Sequence, residues 1–95
     1  MNPEEIKKEL DLLLVSKYRE QEDKTQVFKI ELFICKEDSD AAKALKPIYM
    51  KTNESPYIFD YDEDTNKITV YYIPAMKVLF QMRQLLLEYP EKELQ

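Results

Sequence analysis

The chain has no glycine in 95 residues, and that absence removes whole classes of fold before any pattern is read. Loops that cradle phosphate, of the P-loop or the dinucleotide-binding type, need glycine so that backbone can approach the ligand. Nucleotide binding by those routes is excluded. Histidine is absent too, which takes away the commonest general base and the one side chain that ordinarily titrates between about pH 5 and 8. The single cysteine, Cys35, has no partner for an internal disulfide, and a zinc site would need carboxylates for nearly all its ligands. Cys35 is read as a small apolar residue at a strand end. No cofactor, no metal and no catalytic residue set is expected.

The length suits a single domain over 1–95, and 44% hydrophobic residues with 12% aromatics are enough to build one core. No apolar run approaches the roughly 20 residues of a membrane span. The start Met1-Asn2-Pro3-Glu4-Glu5 shows neither a basic nor an apolar leader region. The expected location is the cytoplasm, away from the membrane.

Hydrophobic spacing sets out the elements. A helix is predicted over 3–20, with Pro3 in its first turn, Glu4 and Glu5 at its positive end, and Ile6, Leu10, Leu13, Leu14 and Tyr18 on one face. Period-two alternation over 25–35 predicts a strand with Phe28, Ile30, Leu32 and Ile34 on one side. Val27, Phe33 and Cys35 lie on its second face, which is therefore expected to be partly covered. Asp38, Ser39 and Asp40 precede an alanine-rich short helix that Pro47 should end or kink, and 48–55 reads as a loop. Two β-rich runs, 57–61 and 67–73, flank an Asp- and Asn-rich turn and predict a hairpin. A last helix is predicted over 74–89. The order is α-β-α-β-β-α, and the expected fold is α+β: a three-stranded antiparallel sheet with the N- and C-terminal helices packed on one face.

Charge is concentrated in one place. Residues 52–66 hold Glu54, Asp60, Asp62, Glu63 and Asp64 with no lysine or arginine, which accounts for the whole net charge of −5. Tyr57, Phe59 and Tyr61 alternate with these acids. Carboxylates with flat rings between them could meet a protein with a basic surface, so Tyr57, Asp60, Tyr61, Asp62, Glu63 and Asp64 are the candidate partner-binding residues. The competing reading is an ordinary solvated acidic turn. A calcium loop starting at Asp60 fails, because its sixth position is Thr65 rather than glycine and its twelfth is Tyr71 rather than glutamate.

The last helix offers a second surface. Ala75, Val78, Leu79, Met82, Leu85, Leu86 and Tyr89 form a core stripe, while Met76, Phe80 and Leu87 lie beyond it and are the candidate homodimer interface. Lys36, Lys43, Lys46 and Lys51 form a small basic cluster, but the acidic balance and the scarcity of arginine argue against nucleic acid. The winged-helix outline of the element order fails because 39–45 is too short for a helix-turn-helix. Taken together, these features predict a small acidic protein-binding module without catalysis. It would act as a stoichiometric inhibitor or accessory factor on a basic or nucleic-acid-handling partner, a profile that fits a viral or mobile-element protein. The alternative is a small dimeric nucleic-acid-binding regulator.

Overall fold

A capping box starts the first helix, α1 (Pro3–Glu20): Glu5 N–H donates to Asn2 Oδ1 at 2.9 Å, and Asn2 N–H donates to Glu5 Oε1 at 3.1 Å. Lys17 and Arg19 in its last turn complement the negative end of the helix dipole. The structure, a computed structural model, describes residues 1–74 and 80–91, and of Phe80 the backbone only. On α1 the buried residues are Ile6, Leu10, Asp11, Leu14 and Val15. Leu13, expected on the core face, is instead 37% exposed. The packed arc is turned one residue the other way, so the Ile6–Leu10–Leu14 row is flanked by Asp11 and Val15.

The strands are β1 (Phe28–Phe33), β2 (Tyr57–Asp62) and β3 (Lys67–Tyr72), paired antiparallel in the order β1-β3-β2. The strand that comes last in sequence thus lies in the middle. Period-two alternation sends Phe28, Ile30, Tyr57, Phe59, Ile68, Val70 and Tyr72 to one face, where all are buried. That face takes α1 and also the last helix, α4 (Phe80–Glu88), whose Met82 and Leu85 join the same core. Two short helices, α2 (Ser39–Lys43) and α3 (Lys46–Tyr49), add Ala42 and Tyr49, and Leu45 between them joins the same core. The α+β architecture and its α-β-α-β-β-α order are those the spacing predicts. Among the described residues, no helix is long and apolar enough to cross a membrane.

Two expectations need correction, and part of a third lies outside the described residues. Pro47 does not end the helical region, because it sits in the first turn of α3, where a missing N–H costs nothing. Residues 48 and 49 are therefore helical rather than loop. The second face of β1 is not covered: Val27 is 56% and Phe33 68% exposed, and Cys35 is exposed as well. All the described helices bury residues of the opposite face, so alternation alone left this one to solvent. Of the predicted last helix, Ala75, Met76, Val78 and Leu79 lie outside the described residues.

Candidate functional site

The β2–β3 hairpin separates what its sequence interleaves. Tyr57 and Phe59 point into the core, with Tyr57 only 6% exposed, whereas Ile58, Asp60 and Asp62 point out. Tyr61 is half-buried, and its hydroxyl donates to Asn66 Oδ1 at 3.2 Å. The mixed surface of rings and carboxylates expected here is therefore split by the pleat, and the Tyr57 ring is not available to a partner. Asn66 supplies the left-handed residue of the turn, at φ 57°, in a chain with no glycine to take that position. Asp62 Oδ1 accepts from Asp64 N–H at 2.9 Å, which fixes the first half of the turn.

Register places the outward residues in cross-strand rows: Lys29–Tyr71–Ile58, Glu31–Thr69–Asp60 and Phe33–Lys67–Asp62. Within these rows the cations gather around Glu31, with Lys67 Nζ at 3.1 Å and Lys29 Nζ at 3.6 Å. Their hydrogen bonds and charge hold the Glu31 carboxyl below its ordinary range and raise Lys67 above its own. Glu63 is not unopposed either, because Lys43 Nζ from α2 reaches it at 2.7 Å. Both partners are well exposed, so the pair adds little stability. Asp60, Asp62 and Asp64 remain without an ion pair among the described residues. The negative field is thus narrower than the sequence suggests and lies on the β2 side of the open face and at the turn.

The expected patch on the last helix is represented by Leu87 alone, which is 72% exposed. Met76 and the Phe80 side chain lie outside the described residues.

A polar cavity between α1, α3 and α4 was not anticipated. Asp11, 1% exposed, receives Lys7 Nζ at 2.6 Å and the Tyr49 hydroxyl at 2.8 Å. Tyr57, Gln81 and Glu88 line the same space of about 230 Å³, and the buried Tyr57 hydroxyl has no hydrogen-bond partner among the described residues. Burial, followed by the charge of Asp11, raises the Tyr49 phenol; burial, followed by the neighbouring ionisable phenol of Tyr72, raises Tyr57. Both phenols stay protonated across the physiological range, and Asp11 is engaged in tying α3 to α1. The sequence did hold a signal: an aspartate beside the Leu10–Leu14 row with a lysine four residues before it. Its other partner, Tyr49, was hidden in a segment read as loop. Among the described residues, no three Cys, Asp or Glu side chains converge as a metal site would require.

Comparison with known proteins finds no matching family model, no similar curated protein and no similar solved structure, so the side chains just described are what a functional reading has to stand on.

Proposed function

We propose that this chain is a non-catalytic protein-binding module that recognises a basic surface through the β2 side of its open sheet face and the adjoining turn. The observation that carries this reading is the charge sorting across the sheet: Lys29 and Lys67 are drawn to Glu31, while Asp60, Asp62 and Asp64 face solvent and form no ion pair among the described residues. Carboxylates held on a rigid hairpin suit lysine and arginine side chains of a partner, and the exposed Ile58 and Tyr71 beside them supply apolar contact. Such a module works by occupancy, as an inhibitor or accessory factor, in the cytoplasm or wherever its basic partner resides. The basic cluster does not favour direct nucleic-acid binding, because it is small and one of its lysines, Lys43, lies 2.7 Å from Glu63.

Converting Asp60, Asp62 and Asp64 together to Asn keeps turn chemistry while removing the charge. Partners captured on the wild-type chain and identified by mass spectrometry should bind the triple variant about tenfold or more weakly, with a flatter salt dependence. Capture that is indifferent both to the triple substitution and to salt would remove the acidic hairpin from recognition. Retention of labelled duplex by the wild type at low salt, lost as salt rises, would replace this reading with a nucleic-acid-binding one.

A further inference from the structure

The two edges of the sheet are finished differently. On the β2 edge, the bond from Ile73 N–H to Pro56 O at 2.8 Å fixes the pairing phase, so Tyr57, Phe59 and Tyr61 turn their backbone polar groups away from β3. Two of those N–H groups are taken up locally: Tyr57 N–H by Ser55 Oγ at 3.2 Å and Phe59 N–H by Met50 Sδ at 3.5 Å. On the β1 edge, the bond from Ile34 N–H to Asn66 O at 2.9 Å assigns Phe28, Ile30 and Leu32 to β3. Lys29, Glu31 and Phe33 therefore direct their N–H and C=O groups out of the sheet, and among the described residues nothing meets them. A free edge with spare donors and acceptors is a template for another strand.

The side chains say which strand. Opposed residues in an antiparallel pair share both face and hydrogen-bonding direction, so the odd residues of β1 pair only with outward-directed residues of an added strand. If that strand is a second β1 related by a two-fold axis at Ile30, Lys29 falls opposite Glu31 of the second copy, and Val27 falls opposite its Phe33. Both ionic pairs are of opposite sign, and the two most exposed apolar side chains near this edge, Val27 and Phe33, cover each other. Centring the axis on Lys29 or on Glu31 instead would oppose like charges. We propose that the chain forms a two-fold dimer through β1, centred on Ile30, which joins two three-stranded sheets into one of six strands. This interface is independent of the acidic hairpin and distinct from a pairing through the last helix.

Charge reversal and exchange test the register. By light scattering and sedimentation the wild type should be a dimer at tens of micromolar, and Lys29→Glu or Glu31→Lys alone should weaken it about tenfold or more. The double exchange, Lys29→Glu with Glu31→Lys, puts opposite charges back in register and should restore the dimer to within about threefold of wild type. Circular dichroism confirms that each variant is folded, which is expected because both side chains are exposed. A chain that stays monomeric up to about 1 mM overturns the proposal. A dimer insensitive to the single reversals, or one that the exchange fails to restore, does the same. If Leu87→Glu dissociates the dimer while Lys29→Glu does not, the interface lies on the last helix instead.

Discussion

Between about pH 10 and about pH 12 the protein is expected to lose about 5 kcal/mol of folding stability, enough to unfold a domain of ordinary stability. Tyr49 and Tyr57 are both nearly inaccessible, and burial raises each phenol above the ordinary value of 10.0. The folded state therefore keeps both protons after the unfolded chain has released them. The stabilisation is fully present below about pH 10 and is lost as pH rises toward the folded values, at about 1.4 kcal/mol per pH unit for each tyrosine. Tyr72 shifts in the same direction, again through burial. Denaturant midpoints measured against pH, followed together with tyrosinate absorbance, show the effect. Tyr49→Phe removes one titrating group and should flatten the slope by about a third to a half. A midpoint that holds steady across this interval would mean that the two phenols ionise in the folded state and are not buried as described.

Truncating Tyr72 is the second large effect. Its ring is fully buried on the central strand and packs against Tyr18, Phe28 and Tyr57 at centroid distances of 6.1, 5.2 and 5.6 Å. Tyr72→Ala should cost about 4 kcal/mol, the range for emptying an aromatic site in a core. Tyr72→Phe should go the other way. The Tyr72 hydroxyl is buried with no partner among the described residues, so removing it deletes a desolvated polar group and should stabilise by about 1 kcal/mol. Urea unfolding at neutral pH compares the three proteins. If the Phe variant is the weaker one by more than about 1 kcal/mol, the hydroxyl is hydrogen-bonded and the ring cluster is less dry than described.

The same tyrosines show what could be read from the sequence. Alternation placed Phe28 and Ile30 correctly because period two needs only neighbouring residues, and the start of α1 at Pro3 was legible for the same reason, whereas the capping box from Asn2 to Glu5 went unread. The sheet order was not, since nothing local says that β3 lies between β1 and β2. Period two does carry the sorting of Tyr57 into the core and Asp60 onto the surface, and the expected binding site overrode it. Linear proximity joined them, and the pleat puts them on opposite faces. Asp11 was passed over because its partners lie four and 38 residues away, and only the second contact explains its burial.

The strand order also determines when the sheet can exist. During synthesis β1 emerges first, and its neighbour in the sheet among the described residues, β3, emerges last of the three strands. Until then Phe28 and Ile30 have no sheet partner. The β2–β3 hairpin closes across a four-residue turn, so we expect it to form early and β1 to dock afterward onto a preformed edge. Pulse-labelled amide exchange during refolding should protect Thr69 and Tyr71 before Val70 and Ile68, because the first two N–H groups donate toward β2 and the second two toward β1. Protection of Asp60 and Ile58 should arrive with the hairpin, and that of Ile30 and Leu32 later. Simultaneous protection of all three strands would show instead that α1 holds β1 in place from the start, making the chain's late central strand a completion step and not the nucleus.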